Sequence, residues 1–259
     1  MICRRYEDKV ALVTGGASGI GRATVEGLAG EGAKVAFTDI TADAGLALEA
    51  ELKARGSDVM FVRSDATRED DVQTLVAQIV TRWGRLDVGI NNVGNMGKAD
   101  KLGVRIHDST LEAFDSTLEV SLKTNFLCMK YEIQQMLKQG GGVIANTTSL
   151  AGVRVTPLSS PGYVAAKAGV LHLTRYAAVL YAKDNIRVSV VAPGLTGTPA
   201  VLDAFPTAEA RDAIAAEFHP MGRLMTPEEL ADALLWVCSD QASGVTGLTI
   251  PVDGGWTAK

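Results

Sequence analysis

The chain has 259 residues, of which 47% are hydrophobic and 21% are charged, a balance typical of folded globular proteins. Its 25 Lys and Arg against 30 Asp and Glu give a net charge of −5, which argues against nucleic-acid and membrane-surface binding, since both need clustered positive charge. No apolar run approaches the ~20 residues of a membrane-spanning helix, and residues 1–9 lack a signal-peptide core. Cys3, Cys128 and Cys238 are widely spaced. We expect a reduced cytoplasmic protein with no disulfide, metal site, membrane partner or nucleic-acid partner.

Apolar strand candidates alternate with helical stretches along the whole chain. In chain order, the pattern predicts strands at Val10–Thr14, Lys34–Asp39, Val59–Arg63, 86–91, 142–148, 186–192 and Thr249–Val252, and helices at 20–31, 42–55, Glu69–Trp83, 111–138, 165–183 and 227–239. Because the strands are continuously apolar, we expect helices on both faces of their sheet. The sequence therefore predicts an α/β protein with a single-domain Rossmann fold over residues 1–259 and a doubly wound parallel sheet.

A glycine-rich loop, residues 14–21 (TGGASGIG), joins the first predicted strand to the first helix. Gly15, Gly19 and Gly21 let the backbone approach a pyrophosphate closely, and the helix after Ser18 presents free N–H groups to it. The alternative for such a stretch alone is a tight turn. Its position between strand and helix favours dinucleotide binding.

Asp39 ends the second predicted strand, about 20 residues after the glycines, where a carboxylate can bind the adenosine ribose hydroxyls. Its charge would repel a 2′-phosphate, and the neighbours Thr38, Ile40 and Ser18 include no cation to receive one. NAD is therefore favoured over NADP. The alternative is that Asp39 only caps the next helix.

Tyr163 and Lys167 are four residues apart, a spacing that places both side chains on one face of a helix. An ammonium beside a phenol stabilises the phenolate, and oxidised nicotinamide supplies a second positive charge, so the phenol can act as an acid or base when the cofactor is bound. Ser149 ends a predicted strand and could hydrogen-bond the substrate oxygen. By themselves, the pair could be a surface helix pair and Ser149 part of an ordinary turn.

These motifs together resemble the short-chain dehydrogenase/reductase family from end to end. The resemblance rests on residues 14–21, Asp65 in Ser-Asp-Ala-Thr, residues 91–94 (NNVG), Ser149, Tyr163 and Lys167 in YVAAK, Pro193-Gly194 followed by Thr198, and residues 253–255 (DGG). Each motif is modest alone, but their joint occurrence in this order is specific.

The resemblance implies a binding site for NAD, a lid over the substrate and assembly into an oligomer. Beyond the residues above, it implies cofactor contacts by Ile20, Ile40, Asp65, Ala66, Asn92, Gly94, Pro193, Gly194, Leu195 and Thr198. Tyr163 would also contact the cofactor, and Lys167 would bond the nicotinamide ribose. It implies a mobile substrate lid at about 195–219. It also implies a homotetramer that pairs through the long helices predicted at 111–138 and 165–183.

One position departs from the family pattern. In residues 118–127 (LEVSLKTNFL), Ser121 stands where the family usually has the Asn that completes a catalytic set with Ser, Tyr and Lys. That Asn helps to hold a water linking Lys to solvent. We expect a water beside Ser121 to replace it, in preference to Asn125, which lies one helical turn later.

The function that this predicts is an NAD-dependent oxidoreductase that interconverts a secondary alcohol and a ketone, with a small-molecule substrate. The three residues between Tyr163 and Lys167 suit carbonyl chemistry and disfavour an enoyl reductase. One alternative is a 3-oxoacyl-thioester reductase. Asp39 and the negative net charge disfavour this function. Another is a catalytically weakened nucleotide-binding regulator, which only Ser121 favours. The segments expected to face the substrate are 95–108, 150–162 and 196–219, and their composition does not identify the substrate.

Overall fold

The computed structural model of the protein describes residues 4–259, so Cys3 and its predicted lack of a disulfide lie outside the described residues. Seven strands form one parallel sheet with the order β3-β2-β1-β4-β5-β6-β7. The strands are β1 (Val10–Thr14), β2 (Lys34–Asp39), β3 (Val59–Arg63), β4 (Val88–Asn91), β5 (Gly142–Thr147), β6 (Ile186–Pro193) and β7 (Thr249–Val252). The chain reverses its direction of travel through the sheet between β1 and β4, which opens a crevice at their carboxyl ends.

Nine α-helices of the described chain connect these strands. They are α1 (Gly19–Gly30), α2 (Ala42–Ala54), α3 (Glu69–Trp83), α4 (Leu111–Leu118), α5 (Thr124–Gln139), α6 (Pro161–Tyr181), α7 (Pro199–Ala204), α8 (Ala208–Phe218) and α9 (Pro227–Cys238). The predicted α/β class and Rossmann-like parallel sheet with helices on its faces are confirmed. None of the helices in residues 4–259 combines the length and apolarity required to cross a bilayer.

Strand β1 shows how the sheet buries both of its faces. Ala11 and Val13 point into a core shared with α1, α2 and α9, whereas Val10 and Leu12 point into a second core shared with α3, α5 and α6. Each of these four side chains is at most 1% exposed. Burying a Val or Leu side chain contributes roughly 1.5–3 kcal/mol, so a strand without polar alternation is stabilised on both sides.

The register of the strands brings their carboxyl ends to one level. Thr14 of β1 lies beside Thr38 of β2 on one side and Asn91 of β4 on the other, and Asn91 in turn lies beside Asn146 of β5. The loops that follow these strands therefore meet along one edge of the sheet. This edge carries the candidate site.

Two helix predictions were wrong in detail. The single helix predicted at 111–138 is interrupted by a wider π-helical turn at Glu119–Lys123, which contains Ser121. The helix predicted from residue 165 begins at Pro161, because Ser160 caps it by accepting the Tyr163 N–H at 3.1 Å and proline suits the first helical position. Tyr163 therefore sits in the first turn of α6.

The segment predicted as a lid contains two helices that the sequence analysis did not predict, α7 and α8. Proline begins α7, and the Thr207 hydroxyl caps α8 by accepting the Ala210 N–H at 3.1 Å. Both helices are mainly exposed and short, so their apolar periodicity is too brief to be recognised in the sequence.

Candidate active site

A cleft of about 1280 Å³ opens along the carboxyl ends of β1, β2, β4, β5 and β6. Most of the predicted site residues line it: Gly15, Ser18, Gly19, Ile20, Asp39, Ile40, Asp65, Ala66, Asn92, Gly94, Ser149, Tyr163, Lys167, Pro193, Gly194 and Thr198. Gly21, Ser121 and Leu195 are not among its lining residues. The chain thus brings segments that are far apart in sequence into one cleft.

The glycine loop has the backbone conformation that its sequence requires. Gly15 and Gly19 have φ values of 64° and 51°, a left-handed conformation that L side chains rarely adopt. A Cβ on Gly21 would lie 1.9 Å from the Gly15 carbonyl oxygen, so this glycine permits close packing under the loop and not direct lining of the cleft. The hydroxyl of Ser18 does not cap α1, which leaves the first N–H groups of that helix free for a ligand.

Asp39 is tied into the loop that surrounds it. Its Oδ2 accepts the Ala17 N–H at 3.2 Å, and its Oδ1 accepts the Thr41 N–H at 3.0 Å. Both oxygens retain lone pairs, because a carboxylate offers about four acceptor sites. Arg22, the arginine of α1, is held by Glu26 and Glu51 at 2.8 and 2.9 Å.

Tyr163 and Lys167 line the cleft from α6. Lys167 is 2% exposed, and its Nζ lies 5.6 Å from the centroid of the Tyr163 ring. The same Nζ donates to the Thr147 carbonyl at 3.2 Å. Burial lowers the pKa of Lys167 to about 8, so the side chain is still mainly an ammonium at neutral pH. Burial raises the pKa of Tyr163, and a hydrogen bond with Ser149 partly opposes this.

Ser149 connects the end of β5 to this pair. Its Oγ accepts the Ala151 N–H at 3.2 Å, which orients the hydroxyl at the start of the short helical turn Leu150–Gly152. An oxygen that accepts from the backbone can still donate its own proton. Ser149 can therefore donate a hydrogen bond to the Tyr163 phenol or to an oxygen that a ligand brings into the cleft.

Ser121 lies beneath the cleft, beside Gly94 and Lys167. It is fully buried, and its Oγ donates to the Asn95 carbonyl at 2.6 Å. A Cβ on Gly94 would lie 2.4 Å from Lys167 Nζ and 3.5 Å from Ser121 Oγ. Asn125 turns its amide toward the Val93 and Ser121 carbonyls, at 3.4 and 3.2 Å. Ser121 thus supports the loop next to Lys167.

The sequence analysis gave no role to three polar residues at or beside the cleft, Thr14, Thr38 and Ser64. Thr14 Oγ1 accepts the N–H groups of Asn92 and Val93, at 3.1 and 3.4 Å, and so joins the glycine loop to the β4 end. Ser64 and Thr38 are buried lining residues whose hydroxyl oxygens have no hydrogen-bond partner among residues 4–259. The feature of the sequence that could have pointed to these residues is their position, because each lies at or just after the carboxyl end of a strand.

A buried polar chain below the cleft was also missed. Asn91 Nδ2 donates to Glu132 Oε2 at 2.9 Å and to Asn146 Oδ1 at 3.0 Å, and Asn146 Nδ2 donates to Thr174 Oγ1 at 2.8 Å. Gly89 makes room for the carboxyl, because a Cβ there would lie 2.5 Å from Glu132 Oε1. Burial raises the pKa of Glu132 to about 7, and the Asn91 hydrogen bond partly opposes this.

Comparison with known proteins places this site in a family. The family model described as enoyl-(acyl carrier protein) reductase matches residues 15–257. The 2,5-dichloro-2,5-cyclohexadiene-1,4-diol dehydrogenase of Sphingobium indicum is 41% identical over 251 residues, which cover 96% of this chain and 97% of the relative. The cis-4-hydroxycyclohexanecarboxylate dehydrogenase of Sinomonas cyclohexanicum is 41% identical over 253 residues, covering 98% of each chain.

Solved structures agree with these sequence matches. The crystal structure of levodione reductase is similar with a TM-score of 0.90 at 34% identity, covering 98% of this chain and 99% of that chain. Full-length sequence similarity, the seven-stranded sheet and the order of the motifs all point to the same conclusion. The chain belongs to the short-chain dehydrogenase/reductase family.

Proposed function

We propose that the protein is an NAD(H)-dependent oxidoreductase that interconverts a secondary alcohol and a ketone, with Tyr163 as the acid/base. The observation that carries this proposal is the placement of the buried Lys167 ammonium beside the Tyr163 ring, in a cleft that the glycine loop also lines. Full-length relatives named as dehydrogenases of cyclic alcohols and diols support the reaction type.

The cleft residues fit a dinucleotide. The left-handed Gly15 and Gly19 and the uncapped start of α1 suit a pyrophosphate, which binds to free helix N–H groups. Asp39 favours the unphosphorylated cofactor, because its carboxylate would repel a 2′-phosphate and the cleft residues next to it in the chain, Thr38 and Ile40, are uncharged.

Bound nicotinamide would accept the hydride from the carbinol carbon during oxidation or return it during reduction, and its oxidised form carries a positive charge. During oxidation, the Tyr163 phenolate takes the proton of the substrate hydroxyl, and during reduction the phenol gives it back. Lys167 stabilises the phenolate electrostatically. Ser149 donates a hydrogen bond to the substrate oxygen and orients it toward Tyr163. Burial alone keeps the phenol protonated, so base catalysis depends on these positive charges.

The substrate class we propose is a cyclic or hydroaromatic secondary alcohol, or the corresponding ketone. The relatives named for cyclohexadiene-diol, hydroxycyclohexanecarboxylate and cyclohexanol oxidation support it. The substrate side of the cleft includes the apolar Val120, Pro199, Ala200 and Val201, which suit a ring carbon skeleton. Residues 195–219 would form the lid of the single domain and close over that ring.

The decisive experiment is a panel of cyclic and acyclic secondary alcohols, each offered with NAD or NADP and followed by the absorbance of the reduced cofactor. We expect turnover with cyclic alcohols and NAD. A 3-oxoacyl thioester with NADH or NADPH is included to test the alternative reductase function, which the description of the matching family model brings into question. No turnover in any combination, with cofactor binding retained, would instead favour a nucleotide-binding regulator.

We also propose a cytoplasmic homotetramer. A groove of about 830 Å³ lies between α4–α5 and α6, and Leu122, Phe126, Leu173 and Tyr176 are among its lining residues. Phe126 and Tyr176 are 50% and 61% exposed, which is unusual for aromatic side chains on a lone surface. A second copy of the chain would cover this face. Cys128 and Cys238 are buried free thiols, a state that a reducing compartment would maintain.

A further inference from the structure

The imidazole of His219 joins the two ends of the segment proposed as the lid, residues 195–219. Its side chain is 1% exposed, its Nε2 accepts the Leu195 N–H at 3.1 Å, and its Nδ1 lies 2.6 Å from the Arg223 carbonyl oxygen. An amide N–H can only donate and a carbonyl oxygen can only accept. His219 is therefore the neutral tautomer with its proton on Nδ1.

Two glycines leave the space that the ring occupies. A Cβ on Gly194 would lie 2.7 Å from His219 Nε2, and a Cβ on Gly254 would lie 3.2 Å from His219 Cβ. The Trp256 ring lies on another side, with its centroid 6.0 Å from that of the imidazole. Three backbone segments, at 194–195, 219–223 and 253–254, thus converge on one side chain.

The peptide that His219 holds is fixed on both sides. While the Leu195 N–H donates to the imidazole, the Leu195 carbonyl accepts the Met225 N–H at 2.9 Å. Three residues later, Thr198 reaches the glycine loop, because a Cβ on Gly19 would lie 3.1 Å from its Cγ2. The orientation of the Leu195 peptide therefore affects how the segment after β6 borders the cofactor cleft.

We propose that His219 is a positioning residue that orients the Gly194–Leu195 peptide and couples it to the end of α8. The inference rests on the proposed function, in which this peptide borders the nicotinamide. His219 does not line the cleft, so it acts only through Leu195. Its contribution is the acceptor at Nε2, and the Nδ1 proton serves to keep the ring in that tautomer.

Two substitutions of His219 test the two hydrogen bonds of its ring one at a time. His219→Gln places an acceptor oxygen near the Nε2 position and can keep the Leu195 bond. His219→Asn places a donor near the Nδ1 position and can keep only the Arg223 bond. We expect His219→Asn to weaken NADH binding about 5- to 10-fold, the effect of one lost hydrogen bond, and His219→Gln to stay within about twofold of the wild type. NADH titrations followed by nicotinamide fluorescence measure this.

Tyr6→Phe is the matched control for lost stability. The Tyr6 hydroxyl donates to the Leu235 carbonyl in the core, so this variant also loses one buried hydrogen bond but lies away from the cleft. It should bind NADH as the wild type does. Equal NADH affinity of His219→Asn and the wild type would overturn the inference while leaving the proposed function intact, whereas a wild type that binds neither NADH nor NADPH would overturn both.

A measurement on the unmodified protein covers the case in which a variant fails to fold. Two-bond ¹H–¹⁵N NMR correlations distinguish the two neutral tautomers of histidine. We expect the His219 ring to carry its proton on Nδ1 at neutral pH. A proton on Nε2 would place two donors face to face at Leu195 and would overturn the proposed role.

Discussion

Lys167 Nζ lies 5.6 Å from the centroid of the Tyr163 ring and donates to the Thr147 carbonyl at 3.2 Å. The β5 backbone thereby positions the ammonium beside the phenol. Two of the three N–H donors of Lys167 find no acceptor among residues 4–259, and a bound ligand could use them.

Tyr163→Phe removes the hydroxyl of the proposed acid/base and preserves the ring that packs beside Lys167. We expect turnover to fall at least about 100-fold, the usual contribution of general acid–base catalysis, while NADH still binds. Steady-state rates and cofactor titrations check this. Tyr181→Phe, at the far end of the same helix, should behave as the wild type. A near-normal rate for Tyr163→Phe would refute the mechanism.

Asp39→Ala tests the preference for NAD. The wild type should bind NAD(H) much more tightly than NADP(H), because the carboxylate accepts the ribose hydroxyls and repels a 2′-phosphate. The substitution should lower kcat/KM for NAD about 10-fold and reduce the discrimination against NADP, as expected when hydrogen bonds to a charged acceptor are lost. Asp43→Ala, an exposed change in the first turn of α2, is the control. Equal affinity of the wild type for both cofactors would contradict the assignment.

Ser121→Asn restores the side chain that the family usually has. The amide can donate to the Asn95 carbonyl, as the Ser121 hydroxyl does at 2.6 Å, and can also hold a water near Lys167. We expect the rate to be maintained or raised. Ser121→Ala, which leaves the Asn95 carbonyl without this donor, should lower it. A marked loss of rate in Ser121→Asn would mean that the site has adapted around serine.

Glu132→Gln should stabilise the protein in a pH-dependent way. Burial raises the pKa of the carboxyl from 4.5 to about 7, so the folded state favours the neutral acid. As the pH rises from about 4.5 to about 7, the free energy of unfolding of the wild type therefore falls relative to that of the variant. Above that range this relative loss amounts to about 3 kcal/mol. The glutamine oxygen can still accept from Asn91 Nδ2.

Urea unfolding at pH 5 and pH 8, at one fixed protein concentration, measures the effect of Glu132→Gln. The difference in the free energy of unfolding between variant and wild type should be larger at pH 8 than at pH 5. Glu209→Gln, at an exposed position on α8, should show no such pH dependence. An identical gap at both pH values would show that Glu132 does not change its protonation in this range.

The assembly prediction is tested on the aromatic face of α5 and α6. Phe126→Asp places a charge where the proposed partner subunit would exclude water, and we expect it to convert the tetramer to smaller species. Light scattering after size-exclusion chromatography gives the mass directly. Leu46→Glu changes a side chain that is 54% exposed on α2 and should leave the mass unchanged. A monomeric wild type would rule out the proposed assembly.

The sequence by itself determined the class of fold, and most of the site residues predicted from it line one cleft. Local physics explains both results, because continuous apolar strands, a glycine loop between strand and helix, and a Tyr–Lys pair at helical spacing act within short segments. Asp39, Tyr163 and Lys167 were each recognised in this way, and all three line the same cleft. The assignment of their roles was strengthened by the order of the family motifs.

Only the tertiary structure decided the contacts that support those residues. Glu132 meets Asn91 across 41 residues of chain, and His219 meets Leu195 across 24. A polar residue in sequence does not reveal its partner, because the partner is set by strand register and by the spaces that glycines such as Gly89 and Gly194 leave. The π-helical turn at Glu119–Lys123 contains Ser121. It lies where the Ser121 hydroxyl bonds the Asn95 carbonyl, 26 residues earlier, and no local propensity encodes that contact.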